Sequence, residues 1–201
     1  MGDKIDVSAE DEAIKDDARQ FMSDLVSSAN AAAEQQQQHS SVATTAGADI
    51  VKAWKAYYND NFNKIQDENS SSMMDKFWSL YNSEFTSIWT MAYDEADSNE
   101  NFDETIDIVR TLLNQPGMET IQDDCFGIVH VLDDTLEMEG LWLFNGPDPE
   151  QLFGANEETS WYTFSQLGPD ATDLVKAAVE KVLMPTDGKL NGKVIKNTQV
   201  F

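Results

Sequence analysis

Two histidines, one cysteine and several neighbouring carboxylates are the side chains of this sequence best equipped for chemistry. A zinc site needs several His, Cys or carboxylate ligands at set spacing. His39 lies in a glutamine- and serine-rich stretch, and His130 lies between Val129 and Val131; neither has a second His or Cys at ligand distance. The expectation for His130 is a hydrogen-bonded core or boundary residue, not a ligand or general base. Cys125 sits in the apolar run Cys125-Phe126-Gly127-Ile128-Val129, behind Asp123 and Asp124. A reactive thiolate wants nearby positive charge, so this pattern predicts a buried small hydrophobe. A lone cysteine also excludes an internal disulfide and a cysteine-rich metal site.

Calcium needs oxygen ligands at fixed positions of a loop, with glycine at the sixth and glutamate at the twelfth. The loop from Asp97 supplies oxygens at the first, third and fifth positions, but Phe102 and Ile108 occupy the sixth and twelfth. The loop from Asp187 has Asn191 and Gly192 in place, but Lys189 at the third position and Thr198 at the twelfth. Both fail where coordination is strictest. The pairs Asp16-Asp17, Asp123-Asp124, Asp133-Asp134 and Glu157-Glu158 are what a chain with 37 acids produces by chance. No serine-nucleophile signature, phosphate-binding loop or dinucleotide fingerprint is present. No catalytic, cofactor-binding or metal-ligating residue is therefore assigned, and no cofactor is expected.

The elements that would position any site read as helices. Ser8 and Asp11 can cap a helix over 8–34, and residues 35–48 form a low-complexity linker. Ile50, Trp54, Tyr57, Tyr58, Phe62 and Ile65 recur at helical spacing over 48–67. After Asn69-Ser70-Ser71-Ser72, the same spacing carries Met74, Phe77, Trp78, Tyr81, Phe85, Ile88, Trp89 and Ala92. A short serine turn between two such stripes predicts an antiparallel helical hairpin. Asn101 with Glu104 caps a further helix stopped by Pro116-Gly117. Residues 119–144 fit a helix to about Glu137, then the extended piece Leu141-Trp142-Leu143-Phe144, although the period is ambiguous. Asp148 can cap a short helix, Trp161, Tyr162, Phe164 and Leu167 form an apolar patch, and a last helix spans 170–184. Asn191-Gly192 signals a tight hairpin.

The expected fold is thus mainly α: a helical bundle around an aromatic-rich antiparallel hairpin, with a possible small C-terminal β-hairpin. The expected divisions are residues 1–47 (N-terminal helix and linker, partly mobile), 48–184 (helical core) and 185–201 (tail or hairpin). Trp54, Phe77, Trp78 and Trp89 should gather inside the bundle.

Charge narrows function further. The chain has a formal net charge of −24 in 201 residues, with 37 Asp and Glu against 13 Lys and Arg. Such a field repels nucleic acid and anionic membranes and attracts basic partners. The stretch from Asp170 holds four acids and five lysines, so the deficit lies in the first 169 residues, and the lysine-bearing end could contact an acidic copy of the chain. No apolar run reaches the length of a membrane span. Met1-Gly2-Asp3-Lys4-Ile5-Asp6 lacks the apolar segment of a signal peptide. A soluble chain, cytoplasmic or exported without a cleaved signal, is the expectation.

Tyr93-Asp94-Glu95-Ala96-Asp97, at the end of the expected hairpin, is similar to the Y-x-x-x-D/E signal of WXG-type type VII secretion substrates, although the W-x-G turn of that family is missing. These features favour a non-enzymatic interaction protein with a basic protein partner and possible homo-oligomerisation. It would be a secreted or virion-type structural component, or an effector. The alternatives are an acidic DNA mimic that inhibits a nucleic-acid-binding protein, and an enzyme of unknown class.

Overall fold

The computed structural model describes residues 44–62, 70–133 and 135–201. Its centre is a curled antiparallel six-stranded sheet, not a helical bundle. In chain order the elements are α1 (44–61), α2 (Ser70–Leu80), β1 (Thr86–Tyr93), α3 (Phe102–Leu113), β2 (Cys125–Leu132) and β3 (Met138–Asn145). Then come α4 (Glu150–Ala155), β4 (Tyr162–Leu167), α5 (Asp173–Leu183), β5 (Lys189–Leu190) and β6 (Lys193–Val200). Strand order is β4-β1-β3-β2-β6-β5.

Helices cover both faces of the sheet. On one face α1, α2 and α5 pack Trp54, Phe77 and Val182 against Ile88, Phe126, Ile128 and Leu143. On the other, α3 and α4 pack Val109, Leu112 and Leu152 against Met91, Val129, Trp142 and Phe144. The alternation of Ile128 and Val129, and of Trp142 and Leu143, between the two layers is the two-residue period of a strand. The aromatic centre of the first layer joins Trp54 to Phe77 at 4.9 Å and to Phe126 at 5.8 Å, both edge to face. Fully burying each such ring contributes about 2–3 kcal/mol. Gly47, in α1, lets that helix close on the sheet: a Cβ there would collide with Asn145 Oδ1 and lie 2.5 Å from the Phe85 carbonyl.

The expected mainly α bundle is corrected at two elements. The second aromatic helix ends at Leu80, not Ala92. Asn82 turns the chain: its carbonyl accepts from the amides of Phe85 and Thr86, and its Oδ1 accepts from Glu84 N at 2.9 Å. The next segment, Thr86-Ser87-Ile88-Trp89-Thr90, is rich in β-branched and aromatic residues and runs as β1. Trp54 and Phe77 are buried as expected, whereas Trp78 and Trp89 are half-buried. The second correction is the expected helix over 119–137. Its core is β2, whose eight residues are all buried because helices cover both sides. A strand buried on both faces reads as a continuous apolar run, which periodicity cannot distinguish from a buried helix.

Other elements match their sequence signals more closely. Asn101 caps α3 by accepting from Glu104 N, and Thr172 caps α5 at Val175 N. Asn191 (φ 53°) and Gly192 (φ 83°) turn β5 into β6, and β6 then pairs with β2 along Ile128–Leu132, making it an integral strand of the sheet. The 8–34 helix and His39 lie outside the described residues.

Candidate interaction site at the β4 edge

Among the described residues β4 is the outermost strand on its side and pairs only with β1. That ladder ends with Tyr93 opposite Tyr162, ring centroids 5.1 Å apart and planes at 55°. Beside them α3 presents Glu104, Asp107, Ile108 and Thr111, at the three- and four-residue spacing of one helical face. The short 3-10 segment Glu157–Trp161 adds Glu158 and Trp161. These eight residues line a cavity of about 400 Å³.

Asn156 holds the walls together. It is buried, donates Nδ2–H to the Leu112 carbonyl at 2.6 Å, and accepts at Oδ1 from Glu158 N at 3.0 Å, tying the end of α3 to the 3-10 segment. The Asp94 amide donates to the Trp161 carbonyl at 3.0 Å and ties that segment to the end of β1. Trp161 is 52% exposed. The lining carries three carboxylates and no base; Asp107 also pairs with Arg110 on the outer surface of α3 at 3.0 Å. Tyr162 also borders a second groove, where Phe153 meets Phe164 at 5.3 Å among Asp148, Glu150 and Glu157. Aromatic rings and carboxylates therefore line two adjoining depressions along this edge.

Burial raises the pKa of the Tyr162 hydroxyl, with smaller contributions from Tyr93 and Glu158. Burial also raises that of Tyr93, helped by Glu95 and Glu158. Both phenols stay protonated at neutral pH.

The side chains that suggested chemistry in the sequence lie elsewhere and apart. His130 is buried, with Nε2 2.8 Å from the Val182 carbonyl and Nδ1 2.8 Å from Thr198 Oγ1. A carbonyl only accepts, so Nε2 carries the proton and Nδ1 accepts from the threonine. Burial holds this ring's pKa below the usual value, against the pull of the Val182 bond. The Cys125 thiol is buried, and burial pushes it up to about 12 despite Lys55 nearby. Lys55 donates to the carbonyls of Gln122 at 2.7 Å and Cys125 at 3.2 Å, and lies 4.7 Å from the Phe201 ring centre.

Of the acid pairs, Glu158 and Glu157 line the two depressions, and three aspartates are engaged singly. Asp123 meets Lys52 at 3.1 Å, Asp124 accepts from Asn145 at 2.7 Å, and Asp133 meets Lys196 at 3.1 Å; Asp16, Asp17 and Asp134 lie outside the described residues. In the two loops tested for calcium, Asn101 serves as a helix cap, and Asn191 is bonded to Glu139 and Lys181. Among the described residues no cluster of three or more His, Cys, Asp or Glu side chains is placed to hold a metal ion. In the sequence, Tyr93, Trp161 and Tyr162 stand out only as apolar or export-signal residues. Two β-rich stretches at 86–93 and 162–167 are the available signal, but their pairing register is not written in either.

The conserved domain of elongation factor 1 gamma matches residues 36–148. This chain belongs to that family. No curated protein matches it. The matched stretch contributes α1 through β3 and the Tyr93 and α3 walls of the cavity, while β4, β5 and β6 continue the same sheet beyond it.

Membership in the elongation factor 1 gamma family overturns the secreted or virion-type component, the effector and the DNA mimic. The export-signal likeness also loses its context, because Tyr93 ends a strand and 96–98 is a 3-10 turn, not the close of a helical hairpin. Among the described residues no helix is long and apolar enough to cross a membrane.

Proposed function

We propose that this chain is a protein-docking module of an elongation factor 1 assembly, works in the cytoplasm and carries out no chemical step of its own. The observation that carries this reading is the elongation factor 1 gamma match across more than half of the sequence. The geometry supports it. His130 and Cys125 are committed to internal contacts, and an acidic, aromatic edge faces outward among the described residues. Aromatic rings supply contact area at interfaces, and a net charge of −24 steers a basic surface towards them.

Isolating the tagged full chain from its own cells after cross-linking, with mass spectrometric identification, tests the reading. The expected result is cross-linking to other elongation factor 1 subunits, with links clustered near α3 and β4. Recovery free of any translation factor would contradict it.

A further inference from the structure

The cavity walled by Tyr93, Trp161, Tyr162 and α3 has the chemistry of a receptor for one organic cation. Three aromatic side chains and three carboxylates, Glu104, Asp107 and Glu158, share its lining, with no cationic side chain among them. Aromatic faces attract cations through their quadrupole, and more strongly when the cation leaves water. Surface carboxylates alone would carry no such conclusion. The independent observation is Tyr162. Its side chain is 7% exposed, and among the described residues its hydroxyl has no hydrogen-bond partner. A buried hydroxyl without a partner is costly to the folded protein. The Tyr162 ring lies 5.1 Å from that of Tyr93, and Tyr93, Glu158 and Tyr162 line the same cavity. A donor brought to the Tyr162 hydroxyl would satisfy it.

We propose that this cavity binds the guanidinium of an arginine side chain presented by a partner protein. Guanidinium is planar, stacks on aromatic rings and carries five N–H donors in a fixed fork. It can lie against Trp161, pair with Glu104 and Glu158, and donate to the Tyr162 hydroxyl once the half-exposed Tyr93 ring swings aside. A lysine ammonium is a compact, strongly hydrated charge that cannot stack in the same way. The site rests on the docking-module reading only for the source of the arginine; the cavity chemistry stands on its own.

The test monitors the five indole N–H signals of the ¹⁵N-labelled full chain by NMR during titration with capped Gly-Arg-Gly, Gly-Lys-Gly and Gly-citrulline-Gly peptides. Citrulline keeps the shape of arginine but not its charge. The Trp161 signal, identified with Trp161→Phe, should move saturably with the arginine peptide, less with the lysine peptide and not with citrulline. Glu158→Gln and Glu104→Gln should each weaken arginine binding by about threefold to tenfold. Tyr162→Phe should weaken it by about threefold or more while leaving the unfolding temperature unchanged or higher, because it removes a buried, unsatisfied hydroxyl. A purely structural tyrosine would not separate those two readouts.

Equal binding of citrulline and arginine, no saturable shift at Trp161, or full affinity in Glu158→Gln would overturn the proposal. If arginine is bound selectively but no elongation factor subunit is cross-linked, the assembly reading fails and the cavity stands. If subunits are recovered but citrulline binds like arginine, the cavity fails alone.

Discussion

Gly127 is the residue at which the sheet has least room. It pairs with Trp142 across the β2–β3 ladder, and a Cβ there would come within 2.7 Å of the indole. That indole is fully buried and donates Nε1–H to Met91 Sδ at 3.2 Å, so it cannot retreat without disturbing α3's side of the core. Gly127→Ala should therefore destabilise the fold by about 1–3 kcal/mol, read as a lower denaturant midpoint. His130 makes a pH prediction. Burial lowers its pKa in the folded protein, so the unfolded chain takes up the proton first as pH falls. The stability this neutral ring supports is complete above the unfolded value of about 6.5 and is lost below it, by at most about 1.4 kcal/mol per pH unit. Unfolding free energy measured between about pH 7.5 and 5.5 should decline in the wild type and flatten in His130→Asn. Cys125, with its thiol pushed up to about 12, should resist thiol reagents in the native state and react only on opening.

The elements differ in how plainly the sequence announces them. Helix ends written in local chemistry were legible: Asn101 before Glu104 and Pro116-Gly117 after α3 both lie where the chain turns. Asn191-Gly192 was legible because few other dipeptides accept two left-handed residues in succession. The β1 strand was not. Its apolar residues continue the three- and four-residue spacing of α2 by coincidence, and the break lies in Asn82, whose side chain and carbonyl bond locally. β2 and β3 were hidden for a different reason, since burial on both faces removes the alternation that announces a strand. The cavity needed more still, because its walls come from β1, α3 and residues 157–162, and only the Tyr93–Tyr162 register brings them together. Asn101→Ala removes the cap on Glu104 N and should cost about 1 kcal/mol. Amide exchange should rise first in the opening turn of α3, beside Glu104, and the β2–β3 ladder should stay protected.

At the scale of the whole molecule, charge and architecture divide the work. Helices on both faces of the sheet bury its central strands, so the β4 edge, with its rings and carboxylates, is left facing outward. On the proposed docking reading, the same acidity that suggested a decoy for nucleic acid would draw a basic partner to that edge. Association should then slow as salt rises, because screening shortens the reach of the field to about 8 Å at physiological ionic strength. Stopped-flow association rates with the cross-linked subunit at low and high salt would show it, and a rate indifferent to salt would argue for an apolar contact instead.

Hydrogen–deuterium exchange of the full chain, free and bound to the elongation factor 1 subunit recovered by cross-linking, tests the central claim most directly. The docking reading predicts that binding slows exchange in residues 157–167 and in the adjoining turns at 94–104, and leaves β5 and α5 unchanged. Protection confined to the β5–β6 side, or none along β4, would contradict it.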